Sequence, residues 1–310
     1  MTPFRETGVT SAKTALCLAA AVAAAVARAF NPAGDPFLPV SAPTNETRVA
    51  VRMLGNNMPL VEAVVDGRPC SLIFDTGASH TTFDIGFVSR ELAEAKLEDV
   101  VLAGVSNVEK TPKAFQVKSL KLGDAEFNAF AAMALDISHL SKGVGAKVDG
   151  IVGMNVIGRT RTLVALGGGE VVFAPGAERL DGFTVAARRR MDDPMTIAIR
   201  GRRDQTPIDM IVDSGSTFTF LGADTGWPIA EGEVAGFSAV DVNGGAGMAP
   251  KPGAEGDLFV GIPLKVRPMI VPDSAGDMNR IGSDVLRRYD MVVEPRRVAF
   301  RPHMNKEDVR

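Results

Sequence analysis

The chain has 310 residues, 45% of them hydrophobic, with 34 basic and 37 acidic side chains and a formal charge of −3. That size suffices for one large core or two small ones, and the charge excludes a broad basic surface for nucleic acid. With one Trp (Trp227) and one Tyr (Tyr289), packing falls to small and β-branched residues.

The N-terminus reads as a targeting segment. Arg5 and Lys13 precede an apolar run from Ala15 to Val26, and Ala27-Arg28-Ala29 has the small-x-small cleavage pattern. The run is about half the roughly 20 apolar residues a spanning helix needs. Residues 1–29 are therefore expected to be a signal peptide cleaved after Ala29, with an uncleaved membrane anchor as the alternative, because Arg28 is unusual beside a cleavage site. The protein is accordingly expected to be exported, periplasmic or secreted, or else membrane-anchored and facing outward. Cys17 leaves with this segment and Cys70 alone remains, so an intrachain disulfide is excluded. Lying five residues before Asp75 on an apolar strand, Cys70 is expected to be a small buried residue.

Residues 30–47, rich in Pro, Ala, Asn and Thr, read as a linker. Beyond them short strands dominate. Leu60 to Val65 and Pro69 to Phe74 flank Asp66-Gly67, a two-residue hairpin signal, and the second strand runs into Asp75-Thr76-Gly77-Ala78-Ser79. The layout recurs downstream. Thr196 to Arg200 leads through Gly201 to Gln205 into Pro207 to Val212, which runs into Asp213-Ser214-Gly215-Ser216-Thr217. Pro69 and Pro207 each stand six residues before their aspartate. Each half also closes alike, with Ile151-Val152-Gly153 and Glu170 to Pro175 in the first, and Arg280-Ile281-Gly282 and Arg297 to Pro302 in the second. Such matched spacing points to an internal duplication, with lobes over 48–183 and 184–310. The stretch from Pro175 to Asp193, including Arg188-Arg189-Arg190, reads as the connection between them.

Two aspartates delivered by two copies of one unit suit a shared-proton dyad. Carboxyl groups about 3 Å apart cannot both ionise comfortably, so they share one proton. One then acts as base on a water while the other donates to a carbonyl oxygen. Gly77 and Gly215 permit sharp turns and close approach, Thr76 and Ser214 offer hydroxyls that brace one loop against the other, and Ser216 is placed to hydrogen-bond the Asp213 carboxylate. Ala78, at the position matching Ser216, has no such group. A single Asp-(Thr/Ser)-Gly is a common turn; its weight here lies in the paired context.

These segments resemble the aspartic peptidases of the pepsin and retropepsin group. Asp75-Thr76-Gly77-Ala78-Ser79 and Asp213-Ser214-Gly215-Ser216 match the family's catalytic loops, and Ile151-Val152-Gly153 and Arg280-Ile281-Gly282 resemble its second signature. The resemblance covers roughly residues 48–302. It implies an all-β, bilobal acid-protease fold: two similar closed, barrel-like lobes about a pseudo-two-fold, with the site between them. Asp75 and Asp213 would be the catalytic pair, Thr76 and Ser214 a cross-braced grip, and Ser216 a support for Asp213. The pepsin flap carries a Tyr in the first half, whereas the single Tyr here lies near the end of the second. The short halves are closer to a tandem retropepsin, two small units fused into a pseudo-dimer. Flaps are expected at Gly104 to Lys110 and Asn243 to Met248, since Gly-rich tips open and close over substrate.

His80, His139 and His303 have no Cys or carboxylate partners at ligand spacing, so no metal and no cofactor are expected. The resulting expectation is an aspartic endopeptidase acting on a peptide or protein substrate, a monomer of pseudo-dimeric lobes, membrane-tethered if residues 15–29 stay attached. The alternative is a catalytically silent peptide-binding module on the same fold.

Overall fold

The computed structural model describes residues 35–55, 57–99, 113–186, 188–189, 197–231, 250–271, 279–294 and 297–303. The targeting segment and both flap candidates lie outside these residues. The first half supplies β1 (Thr47–Ala50), β2 (Arg52–Met53), β3 (Pro59–Val65), β4 (Arg68–Phe74), β5 (Thr82–Asp84), β6 (Glu98–Asp99), β7 (Lys113–Leu122), β8 (Ala125–Leu135), β9 (Gly150–Val152), β10 (Thr162–Ala165) and β11 (Glu170–Phe173). The second supplies β12 (Thr184–Ala186), β13 (Arg188–Arg189), β14 (Ala198–Arg203), β15 (Thr206–Val212), β16 (Phe220–Gly222), β17 (Lys251–Pro252), β18 (Gly256–Phe259), β19 (Pro263–Val266), β20 (Met269–Val271), β21 (Arg280–Ile281), β22 (Tyr289–Glu294) and β23 (Arg297–Pro302). Helices are short: α1 (Ile85–Glu91), α2 (Ser138–Val144), α3 (Met154–Ile157) and α4 (Ser283–Leu286). The fold is all-β and bilobal.

The first lobe is a closed ring. Its sheet runs β2-β3-β4-β9-β5-β8-β7-β6, and β3 also pairs with β7, so six strands shut on themselves. The hairpin at Asp66-Gly67 begins the ring. Both residues have positive φ, 48° and 81°, the geometry of the tight turn whose twist matches the flanking strands. Asp66 Oδ1 also accepts from the amides of Lys118 and Ser119 at 2.9 and 2.8 Å, which fixes β7 against the turn and helps close the barrel.

The second lobe repeats the pairings without closing. β14 pairs with β15, β15 runs parallel with β21, and β16 runs parallel with β20, matching β3–β4, β4–β9 and β5–β8 in the first lobe. The continuous β7–β8 hairpin, however, is split into β18–β19 and β17–β20, which lie at opposite ends of one curled sheet. Among the described residues the expected second closed barrel is therefore an open one, interrupted at Arg267-Pro268. The physical reason is Pro268, which lacks the N–H a ladder needs; β7 and β8 contain no proline. Trp227 fills the gap. It is 4% exposed, its Nε1 donates to the Ala254 carbonyl at 2.8 Å, and a Cβ on Gly253 would meet its ring at 3.0 Å.

A third sheet, ordered β1-β11-β10-β22-β23-β12, underlies both lobes. Its centre is the pairing of β10 with β22, with Leu163 opposite Val292, so each half supplies one side of the junction. One hydrophobic cluster runs from Phe74 and Phe83 through Val164 and Met291 to Val212 and Phe300. Burial of each such large side chain contributes about 1.5–3 kcal/mol. The preceding segment docks on the first lobe: Phe37 is fully buried, and its carbonyl accepts from Asn155 Nδ2 at 2.7 Å. Cys70 is buried, and burial, aided by Asp149, pushes its thiol up to about 12, so it packs as a small apolar side chain. Among the described residues, no helix is long and apolar enough to cross a membrane.

Candidate active site

Each candidate aspartate is held at the end of a buried strand by the strand beside it. β4 runs parallel to β9, with Ile73 opposite Ile151 and Phe74 opposite Val152, and the Asp75 amide donates to the Val152 carbonyl at 3.1 Å. β15 runs parallel to β21, with Ile211 opposite Arg280 and Val212 opposite Ile281, and the Asp213 amide donates to the Ile281 carbonyl at 2.9 Å. Apolar side chains on these strands make a dry platform. Asp75 and Asp213 are 8% and 4% exposed.

Four buried hydrogen bonds lock the loops together. The Thr76 hydroxyl donates to the Val212 carbonyl at 2.8 Å and accepts from the Ser214 amide at 3.0 Å. Reciprocally, the Ser214 hydroxyl donates to the Phe74 carbonyl at 2.7 Å and accepts from the Thr76 amide at 3.0 Å. Each hydroxyl thus satisfies one buried acceptor and one buried donor of the opposite half, where an unmade bond would cost about 1–3 kcal/mol. The brace sets the separation of the loops.

Gly77 and Gly215 are required by space. A Cβ on Gly77 would lie 2.3 Å from Asp213 Cγ, and one on Gly215 would lie 2.3 Å from Asp75 Cγ. Each carboxyl therefore sits against the glycine of the opposite loop, which brings the two acids together. Burial first, and the charge of Asp213 second, push the Asp75 carboxyl up to about 8, although the amides of Gly77 and Ala78 donate to its Oδ1 at 2.7 and 3.1 Å.

A further layer supports the loops, and its symmetry extends beyond the motifs. The Gly153 amide donates to the Thr81 hydroxyl at 3.2 Å and the Gly282 amide to the Thr219 hydroxyl at 3.0 Å. Thr81 Oγ1 donates in turn to Asn155 Oδ1, and Thr219 Oγ1 to Asp284 Oδ1, both at 2.9 Å. The amides of Met154 and Ser283 reach back to the carbonyls of Ala78 and Ser216, both at 2.8 Å. None of these four side chains was singled out from the sequence. The available signal was that Thr81 and Thr219 each stand six residues after their aspartate.

Ser216 departs from expectation. Its hydroxyl donates to the Phe218 carbonyl at 2.7 Å rather than to Asp213. A local turn two residues long captures it, as short hydroxyl side chains commonly do. The side chain that does reach Asp213 is Arg280, whose Nη1 donates to Oδ2 at 2.7 Å. His80 is buried, 3% exposed, with its ring edge-on to Phe37 and its Nδ1 2.8 Å from Ser79 Oγ. Tyr289 is built into the second lobe: its hydroxyl donates to the Pro263 carbonyl at 3.3 Å and accepts from the Lys265 amide at 2.9 Å. No group of three or more His, Cys, Asp or Glu placed to hold a metal occurs among the described residues.

The braced loop after β4, the parallel β9 behind it and the glycine at its end are the parts a family comparison can recognise. Residues 61–156 match the aspartyl protease family model. Over those residues the first lobe is similar to aspartyl proteases of the retropepsin-like kind, and the match takes in Asp75, Thr76, Gly77 and the Ile151-Val152-Gly153 strand. It ends before the second half of the chain. No curated protein matches the sequence.

Proposed function

We propose that the protein is an aspartic endopeptidase that hydrolyses peptide bonds with a water held between Asp75 and Asp213. The observation that carries this reading is the face-to-face carboxyl pair, each acid seated on the other's loop glycine behind the reciprocal Thr76–Ser214 brace. In the monoprotonated dyad, the charged carboxylate takes a proton from the water as its oxygen attacks the scissile carbonyl carbon. The neutral carboxyl gives its proton to the carbonyl oxygen. The tetrahedral diol then collapses: one diol hydroxyl returns its proton to the second carboxylate, the C–N bond breaks, and the departing nitrogen takes the proton the first carboxylate had accepted. Every proton is accounted for within the pair, so the step calls on no cofactor.

Thr76, Ser214, Gly77 and Gly215 position the acids, and Ser216 contributes through its backbone carbonyl, which receives the Ser283 amide. The second lobe repeats the first lobe's strand pairings around Asp213, which supports reading the chain as a tandem retropepsin acting as a monomer, with lobes over 48–183 and 184–310. An extended peptide or protein segment would lie between the lobes, bound partly through its main chain. By its targeting segment the enzyme would work outside the cytoplasm, periplasmic or secreted after cleavage at Ala29, or tethered outward if residues 15–29 remain.

Cleavage of a peptide library tests this. Wild type is expected to cut, and Asp75→Asn and Asp213→Asn are each expected to be inactive while keeping the wild-type circular dichroism. A wild type that cuts no peptide from about pH 3 to 8, or a double variant that still cuts, overturns the reading. A wild type that binds peptides without cutting them makes the fold a silent peptide-binding groove.

A further inference from the structure

The two lobes deliver their aspartates alike but not the residue that flanks them. At the position opposite Ile73 the first lobe places Ile151, 4% exposed and packed among Met58, Leu60, Ile73, Ile137 and Val148. At the equivalent position opposite Ile211 the second lobe places Arg280. Its side chain is one-quarter exposed, and Nη1 meets Asp213 Oδ2 at 2.7 Å, while the Asp213 side chain is only 5% exposed. An arginine in a strand position that the fold otherwise gives to an apolar residue has a specific effect here. It brings a permanent positive charge to one acid of the pair.

We propose that Arg280 is a positioning residue that polarises the dyad, holding the negative charge on Asp213 and so placing the shared proton on Asp75. The inference rests on the peptidase reading for its consequence, but not for its chemistry. The charged and titratable side chains around the pair, among the described residues, are Asp75 from the loop after β4, Asp213 from the loop after β15 and Arg280 from β21. Behind them, Asp284 on α4 takes the Thr219 hydroxyl and His80 lies against Ser79 and Phe37. The cation is in direct contact with Asp213. Asp75 receives instead two backbone amides on Oδ1, from Gly77 and Ala78, and still stands well above the ordinary carboxylate range. The two acids are thereby given different roles: Asp213 is the base toward water, and Asp75 is the donor to the carbonyl oxygen.

Carbon-13 NMR of carboxyl-labelled protein tests this directly and needs no catalysis. The two carboxyl carbons are assigned by Asp75→Asn and Asp213→Asn, and followed from about pH 9 downward. In wild type the Asp75 carbon is expected to move first, with Asp213 keeping the carboxylate shift until Asp75 is protonated. In Arg280→Ile, which copies the first lobe, the two carbons should move together, and Arg280→Lys should restore the wild-type order. Both carbons moving together in wild type, or an unchanged order in Arg280→Ile, overturns the proposal. In peptide cleavage the loss of the cation should shift both limbs of the kcat/KM profile to higher pH by about 1–2 units, with Lys reversing the shift. An unmoved profile in an enzyme that cuts rejects the role of Arg280 and leaves the peptidase reading standing. An inactive wild type rejects the peptidase reading while the titration still decides Arg280.

Discussion

The first lobe closes its barrel with one uninterrupted hairpin and lines the strand beside its aspartate with Ile151. The second breaks the same hairpin at Pro268, plugs the break with Trp227 and sets Arg280 beside its aspartate. What the lobes keep in common is narrower than the fold: the Asp-loop, its grip, the Thr81–Asn155 and Thr219–Asp284 supports, and the crossing glycine. The difference teaches where tolerance lies. A sheet can lose a few ladder bonds at its far rim for about 1 kcal/mol each. A loop that must hold two acids in contact has no such freedom, because its buried hydroxyls, amides and glycines each answer to a partner in the other lobe.

Predictions follow that order of tolerance. The largest effect is expected where the lobes touch. Gly77→Ala or Gly215→Ala should reduce peptide cleavage by at least about 100-fold, because the new methyl occupies the opposite carboxyl's position. Equal losses from the two substitutions would keep the lobes equivalent at this point, and a harmless one would break the equivalence.

Next comes the brace. Thr76→Val removes a donor to Val212 and an acceptor for Ser214, and Ser214→Ala removes the reciprocal pair. Each is expected to cost about 2–4 kcal/mol, read from the urea midpoint at constant slope, and the double variant should cost less than the sum.

A third effect separates the acids by pH. The folded state raises the Asp75 carboxyl from 3.8 to about 8. Between those values the folded chain binds the proton more tightly than the unfolded one, so this group's contribution to stability falls as pH rises, and levels off above the folded value. Asp75→Asn, which removes the charge, should match wild type near pH 4 and exceed it at pH 8 by on the order of 2 kcal/mol. Thermal unfolding at the two pH values checks it; greater stability of wild type at pH 8 would reverse the assigned sign.

The smallest effect is expected at the break in the second barrel. Pro268→Ala restores an N–H but not the ladder around it, and should change stability by less than about 1 kcal/mol.

Much of the site could be read from residue order alone. The paired Asp-(Thr/Ser)-Gly segments, the apolar strands before them and the apolar-Gly segments after them are local patterns, and each depends on a period or a spacing visible in one stretch of chain. The hydroxyls that brace the loops could be nominated for the same reason. Ser216 differs from expectation because its hydroxyl donates to the Phe218 carbonyl two residues on, a local choice that residue order does not reveal. Arg280 stood in view within the closing motif, but its meaning depends on a parallel pairing between strands almost seventy residues apart. By itself, then, the sequence determined an all-β chain with two matched acid-bearing turns, since strand alternation, turn chemistry and spacing are short-range properties. Only the tertiary structure decided that one barrel closes and the other does not, and that a cation attends one acid and an apolar wall the other. Those outcomes depend on which side chains meet across the fold, and local order does not encode that meeting.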